Sequence, residues 1–186
     1  MEHHTMSDIV KKEKPKMEII GGPEKSWKKF LPIIIIFSAI VVITAVTTLI
    51  RGWSPQFAMR MMMGSFFGIF GFFKVINLSA FAEAYATYDI LAKRSSNYAH
   101  IYPFFEIILS LFYFTNTGGI GRDIFTFILM TVGIIGVIKK LREREEIPCA
   151  CLGMVFKVPM TWVTLAEDGL MWIEAALMIL LGFKIL

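Results

Sequence analysis

The sequence predicts an all-α, polytopic membrane helical bundle with about five transmembrane helices. Three observations predict it. Apolar residues make up 56% and charged residues only 18% of the 186-residue chain, where soluble domains carry roughly a quarter charged residues. Its mean hydropathy is +0.64, and its 17 Phe and 12 Met are more apolar bulk than so small a core hides from water. The apolar residues also fall in runs near the ~20 residues that cross a hydrocarbon core about 30 Å thick. This pattern excludes a water-soluble enzyme. A nucleic-acid partner is excluded as well, because the formal charge of +4 comes mostly from segments that flank the runs. With 3 His and 2 Cys, neither a disulfide scaffold nor a structural zinc domain can be assembled.

Residues 1–29 read as a basic, disordered cytoplasmic tail, with seven Lys, the breaker Gly21-Gly22-Pro23 and no sustained apolar period. Residues 30–50 are an uncharged run of 21 residues, a leading transmembrane helix closed by Arg51-Gly52-Trp53-Ser54-Pro55. A four-helix domain over 57–186 follows. Its first span covers about 57–81, and Gly64, Gly68 and Gly71 form a small-residue stripe on which another helix packs closely. An amphipathic continuation over 83–94 carries that helix out of the membrane. The next span covers 98–114 and contains Pro103 and Glu106. Residues 115–121 form a turn, 123–138 a shorter span stopped by the charge run from Lys139 to Glu146, and 163–183 the last.

Lys and Arg set the orientation. Five spans place fourteen basic residues on the side of the tail, against Arg51, Arg60, Arg122 and Lys184 on the other. The positive-inside rule then puts the N-terminus in the cytoplasm and the C-terminus outside, in the inner membrane of a prokaryote.

Cys149-Ala150-Cys151 is the sharpest local signal, because the chain's only two cysteines lie two positions apart. Paired thiols exchange with the disulfide of a thioredoxin-like partner, or they bind a soft ion such as Cu(I) or Hg(II). The plain alternative is two small hydrophobes. On the cytoplasmic side a standing disulfide is disfavoured. Lys74, Glu106 and Glu174 are charges inside spans, which insertion scales cost at about 2.5–3.5 kcal/mol each and which therefore face the bundle and pair. Their similar depth predicts one buried cluster, either a proton or cation relay beneath the thiols or a structural Lys74–Glu106 pair. Glu167 and Asp168 open the last helix, where the dipole favours carboxylates. In the metal reading they receive a cation from Cys149 and Cys151, handed on by a metal-binding partner protein. The run Met59-Arg60-Met61-Met62-Met63 is read as gap-filling side chains rather than a copper site.

The segment Arg60 to Lys74, Tyr102-Pro103-Phe104-Phe105-Glu106, Cys149-Ala150-Cys151-Leu152-Gly153, and the stretch from Pro159 to Asp168 together resemble the DoxX/MauE group of small four-helix membrane proteins. The resemblance implies a redox-associated protein of methylamine-utilisation MauE type, acting in maturation or disulfide handling of an exported dehydrogenase. Some relatives in that group are associated with heavy-metal handling. A third reading, from a different class, is a non-catalytic membrane scaffold subunit.

Overall fold

The computed structural model describes residues 31–143, 150, 152 and 162–183. The tail and both cysteines lie outside the described residues. Within them the chain forms six helices: α1 Leu31–Arg51, α2 Pro55–Ile76, α3 Leu78–Tyr85, α4 Ser96–Thr115, α5 Gly119–Glu143 and α6 Trp162–Phe183. Helices α1, α2 and α5 are long and apolar enough to cross a membrane. Helices α4 and α6, with 20 and 22 residues, complete a set of five long helices but carry buried acids that lower their apolarity. Large apolar side chains such as Ile35, Leu49, Ile50 and Leu180 remain exposed, as a lipid-facing surface requires.

The glycine stripe works as its spacing predicts. A Cβ at Gly64 would meet the Phe114 ring at 2.9 Å, one at Gly68 the Ser110 Oγ at 2.8 Å, and one at Gly71 the Ile107 Cγ1 at 3.1 Å. All three neighbours lie on α4, so α2 and α4 approach at close range. Ser110 Oγ also donates to the Gly64 carbonyl at 2.7 Å, a cross-helix bond that only this separation allows. Substituting Gly68 with Leu is expected to cost about 1–3 kcal/mol, the usual range for overpacking a tight contact. Thermal unfolding of the detergent-solubilised chain measures it.

Four boundaries differ from the sequence reading. The second span breaks at Asn77 (φ −131°, ψ 61°), and α3 ends at Tyr85 instead of continuing to Arg94. The cause is Asp89. Its buried carboxylate accepts the Leu91 and Ala92 N–H groups at 2.9 and 2.8 Å and the Tyr85 hydroxyl at 3.0 Å. A short acid that captures nearby backbone donors offers the chain a turn in place of a helix. Helix α5 is longer than expected at both ends. It starts at Gly119 and runs through the basic stop to Glu143, where Lys140 and Glu143 pair at 2.8 Å one turn apart. Cations in a last turn favour the helix dipole, so the charge run extends this helix beyond its apolar stretch.

α2 lies at the centre and packs against α1, α3, α4 and α6, while α5 packs mainly on α6. Among the described residues α1 touches only α2. Ile33 and Ile40 are its buried contacts, and Phe37 meets Phe66 edge-on.

Candidate functional site: a charged cavity in the bundle

Lys74 stands in the last turn of α2 and Glu106 in the middle of α4. They meet because Gly71, one turn before Lys74, lets the helices close until its Cβ position is 3.2 Å from the Glu106 Cβ. The ammonium and Glu106 Oε1 are 2.5 Å apart, with the two residues only 7% and 1% exposed. The same ammonium lies 5.1 Å from the Tyr102 ring centroid and 5.6 Å from that of Phe81. A desolvated cation thus gains aromatic faces as well as a carboxylate. The expected Lys74–Glu106 pair is formed.

Around it is a mostly enclosed cavity of ≈ 40 Å³, whose wall includes Lys74, Glu106, Glu167, Asp168, Tyr88 and Tyr102. Such a volume holds about three water molecules. Glu106 Oε2 and Glu167 Oε2 are buried and have no hydrogen-bond partner among the described residues. Three carboxylates therefore share the wall with one ammonium. Glu174, two turns beyond Glu167 on α6, is half-buried with an unpartnered Oε2 and is not among the lining residues. The last helix thus contributes Glu167 and Asp168 to the charged cavity, where the sequence reading had placed Glu174.

Tyr88 was not singled out from the sequence. It follows α3 in the segment folded by Asp89, and Gly136 of α5 makes room for it, since a Cβ there would meet the Tyr88 carbonyl oxygen at 2.7 Å. Its ring lines the cavity, and its hydroxyl faces the backbone of Ala150. Burial, then the charges of Asp168, Asp89 and Glu106, push its ionisation well above the ordinary tyrosine value, so the hydroxyl keeps its proton. Ala150 and Leu152 are 0% and 1% exposed. Cys149 and Cys151 lie outside the described residues, so the residue between them in sequence is what the structure joins to the cavity. Among the described residues no group of three or more His, Cys, Asp or Glu is placed to hold a metal ion.

A second buried pair lies at the opposite end of the bundle. Arg122, counted from sequence as a loop cation, is only 5% exposed. It grips the neighbouring Asp123 through two bonds of 2.9 and 3.2 Å and donates to the Phe112 and Thr117 carbonyls at 3.3 Å each. Its guanidinium also lies 4.2 Å from the Tyr113 ring centroid. These contacts lock the α4–α5 turn, and no sequence spacing announces them.

A family model described as "Methylamine utilisation protein MauE" matches residues 29–186. The chain belongs to the MauE family. The match takes in α1 together with the helices that build the cavity, so this is a multi-pass membrane protein of MauE type throughout its helical part. No curated protein and no solved structure matches the chain.

Proposed function

We propose that this MauE-family protein works through thiol chemistry at the cytoplasmic end of the bundle. Cys149 and Cys151 exchange with a thioredoxin-like partner in the maturation of another protein, and the charged cavity holds the local proton balance. The observation that carries this reading is the approach of Tyr88, which walls the cavity, to the backbone of Ala150, the residue between the two cysteines in sequence. In the exchange, the thiolate of one cysteine attacks the partner's disulfide and releases one partner thiolate. The second cysteine then displaces the other partner sulfur. The partner is reduced, and a Cys149–Cys151 disulfide holds the two electrons' worth of oxidation. A ring closed across one intervening residue is strained and passes that oxidation on readily. The Lys74–Glu106 pair and the acids of α6 take up and return the thiol protons through cavity water.

Cys149→Ser and Cys151→Ser variants of the full chain are each expected to abolish exchange with reduced or oxidised thioredoxin, followed by thiol alkylation and gel shift, while leaving thermal unfolding unchanged. Full exchange by either variant, or full cellular function of both, would sink the thiol reading. High-affinity uptake of one Cu(I) or Hg(II) per cysteine pair, without exchange, would favour metal handling.

A further inference from the structure

We infer that the gap between α1 and α6 binds a neutral, lipid-soluble molecule with a hydroxyl-bearing head of the quinol type, its head on Glu167. Among the described residues α1 packs on α2 and makes no contact with α6, which leaves a gap between them. It is a groove of ≈ 490 Å³ lined by Ile33, Ile34, Phe37, Ser38, Val41 and Val42 of α1 and by Glu167 of α6. The α1 residues recur every four positions, which makes one apolar helix face. Ile34, Val41 and Val42 are 50, 49 and 59% exposed, so the groove opens on the lipid side.

Glu167 gives the groove its chemistry. It is 9% exposed, and its buried Oε2 has no hydrogen-bond partner among the described residues. A buried acceptor left unmatched in an apolar wall costs free energy that an arriving donor recovers. The same residue lines the inner cavity with Lys74 and Glu106, so a head bound to Glu167 sits at the partition between lipid and buried charge. The chemistry of the head follows from two constraints. A phosphate would bring anionic oxygens against the carboxylate. Glu167 also lies roughly 7 Å along α6 from its first residue, at 1.5 Å per residue, deeper than a zwitterionic headgroup comfortably reaches. A hydroxyl donor on an uncharged ring, with its tail along the α1 face, meets both. This site shares Glu167 with the thiol reading but needs neither cysteine.

Thermal unfolding of the detergent-solubilised full chain, with a decyl-substituted hydroquinone and separately with its dimethyl ether, tests the proposal. The ether has the same shape but cannot donate. The expected result is a Tm rise of roughly 5 °C at saturating hydroquinone, none with the ether, and loss of the rise in Glu167→Leu. If that variant does not fold, Val41→Trp, which fills the groove from α1, replaces it with the same expectation. A Cys149→Ser/Cys151→Ser variant keeps the full shift, which separates this site from the proposed thiol function. Equal shifts with both compounds, a shift that survives Glu167→Leu or Val41→Trp, or no shift with either compound would overturn the proposal; equal shifts would assign the groove to acyl chains, and a shift that survives Val41→Trp would place the compound elsewhere.

Discussion

Replacing Lys74 with Leu is expected to destabilise the bundle by about 3–5 kcal/mol, the cost of leaving one member of a buried ion pair alone. Glu106 is 1% exposed and among the described residues its Oε2 has no hydrogen-bond partner, so removing the ammonium takes away the carboxylate's ion pair as well. The double variant Lys74→Leu/Glu106→Leu is expected to recover most of that loss, because a well-packed apolar pair often matches a buried ionic one. Denaturant unfolding of wild type, both single variants and the double variant measures the coupling. A Lys74→Leu protein as stable as wild type would show that the pair contributes nothing to the fold.

Gly136→Leu is expected to cost about 3 kcal/mol, the upper end of the range for overpacking. The obstacle is the Tyr88 carbonyl oxygen, 2.7 Å from where a Cβ would stand, with the Asp89 Cα at 3.4 Å. A flexible side chain could rotate away, but backbone held by Asp89 cannot. The loop must lift from α5, drawing Tyr88 out of the cavity wall. Amide hydrogen exchange over residues 86–95 should accelerate accordingly. Gly133→Ala, three residues earlier on the same helix, is the control: a Cβ there meets nothing within 4 Å, and Ala favours a helix over Gly by about 1 kcal/mol. Equal effects of the two substitutions would mean that close approach at Gly136 is not what seats the loop.

The bundle was legible because lipid demands it. Long uncharged runs, a glycine stripe and a lysine inside a span each have few physical solutions, and α1, the α2–α4 contact and the Lys74–Glu106 pair follow from them. The cavity's other members were less legible for a definite reason. Glu167 and Asp168 have the same sequence appearance whether they merely complement a helix dipole or face a buried ammonium, and only the packing of α6 on α2 decides. Glu174 satisfies the depth argument, yet it stands two turns away from Glu167 and outside the cavity wall. Tyr88 depends on Asp89 breaking the helix and on Gly136 opening a space on a helix nearly fifty residues later, a tertiary coincidence with no local period. Counting charges by side says nothing of the burial of Arg122, which satisfies its donors on Asp123 and two carbonyls.

The link between the thiol segment and the charged cavity is measured most directly by the alkylation rate of Cys149 and Cys151 in the purified, reduced full chain, compared between wild type and Tyr88→Phe. Removing the hydroxyl takes away the polar neighbour of the buried Ala150 backbone. A several-fold faster reaction of both thiols, with the Lys74–Glu106 coupling preserved, is the predicted result. Identical rates in the two proteins would contradict it and detach the cysteines from the cavity.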